Sequence, residues 1–174
     1  VIFPGAGYME MARAAAPEGS ALQAVFFLQP LVLQASDLIV DCSIADGRFE
    51  VCSGEADTVG SVMVHCSGAT ANVSDVQRID FTSLRAHSRA VDVGVLYDGF
   101  HAIGLQYGPS YRTLMQVRIS SSEAAARLRL RSALEGTVVH PSDLDDAICM
   151  GAVVASRAGG GDMQLPFAVD NSLL

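Results

Sequence analysis

Three short segments carry residue types able to do chemistry: Phe3-Pro4-Gly5-Ala6-Gly7-Tyr8-Met9-Glu10, Gly104-Leu105-Gln106-Tyr107-Gly108-Pro109-Ser110-Tyr111 and His140-Pro141-Ser142-Asp143-Leu144-Asp145. Each also has an ordinary explanation. Pro4-Gly5 suits the opening of a helix. The Tyr107 ring can pack on a core from its loop. Asp143, Asp145 and Asp146 suit the first turn of a helix, where the dipole favours acids. Aspartates beside a histidine also suggest a metal, but His140 and Asp145 lie five residues apart with Asp143 between. That is a poor ligand set for one helix face. Cys42, Cys52, Cys66 and Cys149 form no Cys-x-x-Cys pair and no zinc-spaced cluster, so reduced and mostly buried thiols are expected.

The elements that must position these segments fall into two halves, 1–80 and 93–174, joined by a polar linker at 81–92. In the first, the helix formers Tyr8 to Ala16 end at Pro17-Glu18-Gly19-Ser20. Strand-like stretches follow at Ala24 to Leu33, with a bulge or edge at Pro30, then Asp37 to Ile44 and Ser61 to Ser67. Asp46-Gly47 marks a hairpin before Arg48 to Cys52. The stretch from Ser74 to about Asp92 has no clear period. The second half begins with a short helix in Val93 to Ile103 and a turn at Gly104 to Gly108. Strands are expected at Tyr111 to Ser120 and Ala124 to Arg131. A longer helix at Leu144 to Arg157 presents Leu144, Ile148, Gly151, Ala152 and Ala155 on one side. After Gly159-Gly160-Gly161, Leu165 to Leu174 begins another strand. A helix followed by an antiparallel meander suggests a curved sheet wrapped around a central helix, once in each half.

Composition excludes some classes. The 174 residues are 50% hydrophobic and 17% charged, with net charge −8 from 11 basic and 19 acidic side chains. No apolar run approaches the roughly 18 residues of a spanning helix, and no basic leader marks a signal peptide. Arg127, Arg129 and Arg131 line one face of a strand; a solvated face explains them, or a small docking patch for an acidic partner. Nucleic-acid binding needs a basic face on a basic domain.

Taken together and in this order, the three segments resemble the dehydratase domains of modular polyketide synthases and of related animal-type fatty acid synthases. Those domains carry H-x-x-x-G-x-x-x-x-P near the start, a Y-G-P loop midway and H-P-x-x-L-D on a second central helix. Pro4 matches the closing proline of the first motif, Tyr107-Gly108-Pro109 the loop with Tyr111 trailing it, and His140-Pro141 through Leu144-Asp145 the third. Gln29-Pro30-Leu31, Phe49-Glu50-Val51, His65 to Gly68 and Leu165-Pro166-Phe167 are weaker matches between them.

The resemblance implies an α+β double hot-dog fold, two curved antiparallel sheets each wrapped around a central helix, with the second hot dog incomplete. It implies removal of water from a β-hydroxyacyl thioester carried on an acyl carrier protein. Asp145 is then the catalytic acid, and Leu144, Ala147 and Ile148 offer an apolar setting that keeps a carboxyl protonated, with Asp143 and Asp146 adding like charge. The Gly5 N–H, at a helix start, polarises the thioester carbonyl. Tyr107 lends its hydroxyl to substrate or water, and Gly108 and Pro109 shape a tunnel wall. Cys149 stands where the family has Gln or His orienting the acid, and a thiol is a weak hydrogen-bond partner.

The partner base is the histidine of the first motif, which counts back to before Val1; His65, His87, His101 and His140 do not fit that motif. The chain is therefore expected to be a piece truncated at both ends, part of a cytoplasmic megasynthase. Expected partners are an acyl carrier protein with its phosphopantetheine arm, neighbouring synthase domains and a second copy in a homodimer, with no cofactor, nucleic acid or membrane. Two other readings stay open: a catalytically inactive scaffold domain, and a double-bond isomerase or oxygen-heterocycle-forming variant of the same fold. Expressed as written, the chain is expected to be poorly soluble because an incomplete second sheet exposes apolar surface. A soluble, cooperatively melting monomer in sedimentation and calorimetry overturns that expectation.

Overall fold

The computed structural model describes residues 2–33, 38–55, 62–72, 82, 86–133, 136–158 and 167–172. The chain divides into two compact units, Val1–Val76 with Gly136–Pro141 and Phe167–Leu174, and Gln77–Glu135 with Ser142–Pro166. Much of the polar stretch read as a linker, and the glycines 159–161, lie outside the described residues.

In the first unit, helix α1 (Gly5–Ala15) packs on strands β1 (Ser20–Phe27), β2 (Leu38–Ala45) and β3 (Arg48–Glu55). Strand β4 (Met63–Asn72) and strand β8 (Ala168–Ser172) complete an antiparallel sheet in the order β2-β3-β4-β1-β8. Small and apolar residues of α1, among them Ala6, Tyr8, Met9 and Ala12, are buried, as are Leu22, Val25, Phe49, Val51 and Cys66 on the strands. The hairpin forms where Asp46-Gly47 places it, with φ of 50° and 73°, because Asp and Gly tolerate the left-handed backbone that a two-residue turn requires. Strand β1 behaves differently from expectation. It ends at Phe27 before reaching Pro30, and its irregularity lies between Gln23 and Phe26, where Ala24 takes φ 47°. Strand β8, read from sequence with the second half, pairs with β1 (Val25 opposite Val169) in the first unit's sheet. Such a pairing spans most of the chain and leaves no local signal.

His65 is buried on β4, and its polar atoms are answered. Nε2 lies 2.7 Å from Ser53 Oγ, Nδ1 lies 3.1 Å from the Gln29 carbonyl, and the ring stacks on Tyr8. A donor to the carbonyl at Nδ1 leaves Nε2 to accept from Ser53, so the residue stitches β3 and β4 to the segment after β1.

In the second unit, strands β5 (Arg89–Val91), β6 (Leu114–Ile119) and β7 (Ala124–Leu128) form an antiparallel sheet. Helix α2 (Val93–Ala102) packs on β6 and is capped by Asp92, whose Oδ1 accepts from the Val95 N–H at 3.2 Å. The strand expected from Tyr111 starts three residues later, because Pro109–Tyr111 form a 3-10 turn. Helix α3 (Pro141–Ala158) contributes Cys149, Met150 and Val153 to a core shared with Leu96, Tyr97, Phe100, Leu114, Val117 and Ile119. Its buried face is thus rotated from the expected one: Leu144 and Ala152 are buried, but Gly151 is exposed. The rings of Tyr97, Phe100 and Tyr107 meet edge to face with centroids 5.5–6.1 Å apart. Phe100, 1% exposed, is the largest fully buried side chain of this core. Phe100→Ala is expected to cost about 3–5 kcal/mol in chemical denaturation; a loss under about 1 kcal/mol means that the core is arranged otherwise.

Candidate active site

Asp145 sits in the second turn of α3, where its carboxyl is partly exposed. Burial is the main reason its proton is held more tightly than that of an ordinary carboxyl, hydrogen bonding from the Tyr107 hydroxyl opposes the effect, and the negative charge of Asp146 adds to it. Asp143 makes no such contribution. It forms an ion pair with Arg131, Nε to Oδ1 at 2.7 Å, which answers its charge. Of the two neighbouring aspartates expected to act on Asp145, one does.

Tyr107 and Cys149 meet at this carboxyl. Tyr107 Oη lies 2.9 Å from Cys149 Sγ, one helical turn after Asp145. Burial pushes the Cys149 thiol up to about 12, with Asp145 adding to the shift, so it is a neutral S–H near neutral pH. Burial also raises Tyr107, with further contributions from Cys149 and Asp145, so the phenol keeps its proton. When Tyr107 donates to Asp145, the S–H remains to donate to the Tyr107 oxygen. The thiol at position 149 is therefore linked to Asp145 through a tyrosine.

Gly108 and Pro109 are exposed and open the 3-10 turn. Pro109 borders an open cleft of about 260 Å³ lined also by Ser110, Arg112, Thr113 and Arg129 to Ala133. The arginine stripe does not survive as a stripe. Arg127 and Arg129 are exposed, but Arg131 turns to Asp143, to Ser142 Oγ and to the Ser110 carbonyl at 2.8 Å. Gly5 belongs to the other unit, as the first residue of α1. A Cβ there would sit 3.0 Å from the Phe27 ring, which would have to give by a few tenths of an ångström, and no side chain caps the helix start. The structure thus brings Asp145, Tyr107 and Cys149 together, with Gly108 and Pro109 in the adjoining turn.

In the sequence Asp146 has only a helix-start place and a like charge, and nothing there points to its partners Tyr97 and Thr113. Asp146, 1% exposed, accepts from Tyr97 Oη at 3.0 and 3.1 Å and from Thr113 through its N–H at 2.8 Å and Oγ1 at 2.6 Å. Two adjacent aspartates carry no local sign of which one faces inward. Among the described residues, no group of three or more His, Cys, Asp or Glu side chains is placed to hold a metal ion, and no helix is long and apolar enough to cross a membrane.

A family profile for the polyketide synthase dehydratase N-terminal domain matches residues 82–172. The polyketide synthase PksN of Bacillus subtilis is 26% identical over 191 residues, covering 97% of the chain and 3% of that protein. Among solved structures, the dehydratase domain of a trans-AT polyketide synthase from Brevibacillus brevis superposes with a TM-score of 0.76 at 25% identity, covering 98% of this chain and 67% of that one. The dehydratase domain of RzxB from Pseudomonas fluorescens gives 0.73 at 26% identity, covering 98% and 68%. The chain spans a few per cent of such a synthase and about two thirds of the solved dehydratase domains. The fold is the double hot-dog, as the motifs implied.

The state of Asp145 has a measurable consequence. Its folded-state affinity for the proton is raised, so the stability it contributes is fully present below the ordinary value of 3.8 and is lost as pH rises through the raised one. Asp145→Asn is expected to melt higher than the unsubstituted protein at neutral pH, with the difference shrinking as pH falls toward 3.8 in calorimetric scans. A variant that melts lower at neutral pH contradicts the raised affinity.

Proposed function

Because the chain belongs to the polyketide synthase dehydratase family, we propose that it supplies the acid of a dehydration on a β-hydroxyacyl thioester, with Asp145 as the proton donor. The observation that carries this reading is a carboxyl whose proton is held more tightly than usual by burial and a neighbouring charge, hydrogen-bonded by a tyrosine that is itself bonded to a buried thiol. Hydroxide leaves poorly from a β-carbon, so the C–O bond breaks usefully only as the oxygen gains a proton.

Asp145 gives that proton to the β-hydroxyl and water departs. A base takes the α proton, and the electron pair of the α C–H bond becomes the second bond of the α,β-unsaturated thioester. Asp145 is left as carboxylate, and the Tyr107 hydroxyl, which donates to the charged form, offsets part of the cost of that charge. The base is assigned by resemblance to the histidine of the motif that ends at Pro4. Gly5, whose N–H would polarise the thioester carbonyl, and Gly108 and Pro109, as tunnel wall, enter on resemblance too. The same resemblance supports a substrate delivered on the phosphopantetheine arm of an acyl carrier protein, neighbouring synthase domains and a homodimeric parent, with no cofactor in the chemistry.

Cys149 supports a second reading, a domain kept as scaffold. A thiol holds a carboxyl less firmly than an amide or imidazole does. The two separate in one assay of the full synthase polypeptide with a β-hydroxyacyl carrier protein, the enoyl product followed by mass spectrometry. The acid reading expects turnover, and Asp145→Asn is expected to slow it by about 10²–10⁴-fold. Equal rates reject Asp145 as the acid, and no turnover by the unsubstituted synthase favours the scaffold.

A further inference from the structure

Asp146 raises a question that the acid's chemistry does not answer. Its carboxylate is buried in the second unit, where an ionised group without partners costs several kcal/mol or more. It has partners on two other elements. Tyr97 Oη, from α2, spans both carboxylate oxygens at 3.0 and 3.1 Å. Thr113, at the entrance to β6, gives its N–H at 2.8 Å and its hydroxyl at 2.6 Å to Oδ2. The arrangement continues outward. Leu114 N–H donates to Tyr97 Oη at 3.3 Å, the Arg112 guanidinium lies 5.3 Å over the Tyr97 ring, and the Thr113 carbonyl accepts from Arg129 N–H at 2.7 Å. One side chain of α3 is therefore tied to a second helix and to the start of a strand.

We propose that Asp146 is a positioning residue for the acid: by clamping α3 to Tyr97 and Thr113, it fixes the roll of the helix that turns Asp145 onto Tyr107. The proposal rests on the acid role given above to Asp145. Adjacent helix positions are about 100° apart, so one aspartate can be fully buried while its neighbour faces the Tyr107 hydroxyl. A side-chain tip lies roughly 5–6 Å from the helix axis, so a roll of about 10° moves it by about 1 Å. A displacement of that size can cost a catalytic group about 100-fold. The clamp matters more here because position 149, from which a Gln or His could hold Asp145 directly, is a thiol engaged with Tyr107. Fixing the helix substitutes for fixing the carboxyl.

The test is steady-state kinetics of the full synthase polypeptide on a β-hydroxyacyl carrier protein at mildly acidic pH, with each variant's melting temperature measured alongside. Asp146→Ala is expected to lower kcat by about 10–100-fold and to change KM by less than about threefold. Asp146→Asn, which can still accept from Thr113 and donate to the Tyr97 oxygen, is expected to restore kcat to within about threefold. If Asp146→Ala does not fold, Tyr97→Phe removes the α2 arm of the clamp and leaves the Thr113 bonds in place, and is expected to lower kcat by about 3–10-fold at unchanged KM. Unsubstituted kcat in Asp146→Ala or in Tyr97→Phe overturns the proposal, as does an Asp146→Asn variant as slow as Asp146→Ala. Asp145→Asn separates the two levels: if it is fully active, the acid reading fails, and if it is inactive while Asp146→Ala is not, only the positioning role fails.

Discussion

A carboxylate taken almost wholly out of water has to be met by donors, and in the second unit this condition is satisfied at Asp146. Its four contacts, two from the Tyr97 hydroxyl and two from Thr113, come from α2 and from the entrance to β6, which share an apolar core with α3. Apolar contact is non-directional and tolerates sliding, whereas charge-assisted hydrogen bonds near 2.6–2.8 Å do not. The core of Leu96, Phe100, Val117, Met150 and Val153 therefore supplies cohesion, and the buried carboxylate supplies the phase of α3. Two features that distinguish Asp145 from an ordinary surface acid follow from that phase, its partial burial and its hydrogen bond from Tyr107.

Much of this was legible in the chain, for local reasons. The Asp-Gly hairpin, the helix opening at Pro4-Gly5 and the helix following His140-Pro141 are each set by backbone restrictions of the residues present, and the structure has all three. The ordered motifs led to the family and the fold. What was not legible depended on distant parts of the chain. The partner of β8 is β1, at the other end of the sequence. The buried side of α3 lies about one position from the apolar period, because Ala and Gly satisfy such a period without filling space. Cys149, Met150 and Val153 occupy the core, while Gly151, apolar by period, is exposed. Arg131 belonged by spacing to a solvated strand face, yet it turns inward, since Asp143 and the Ser110 carbonyl lie within its reach.

The three aspartates show how tertiary contacts divide one composition among separate tasks. Asp143 meets a guanidinium and is neutralised as a pair, one whose side chains are still partly wet and which therefore adds modest stability. Asp146 accepts from the neutral donors of Tyr97 and Thr113, and its negative charge adds to the proton affinity of Asp145. Asp145 is left with one hydroxyl that favours its charged form and a burial cost that opposes it, and the cost prevails. The acid role proposed for Asp145, releasing a proton during the reaction and recovering it afterwards, needs this intermediate condition. A stronger partner, such as the Arg131 that Asp143 has, would hold it ionised; no partner at all would make the carboxylate left after proton transfer too costly. Tyr107, kept protonated by burial and backed by a thiol that also keeps its proton, is a partner of suitable strength. On this argument Cys149 is less a missing amide than the second member of a relay, and the loss of a direct hold on Asp145 is tolerable because Asp146 already fixes the helix that carries it.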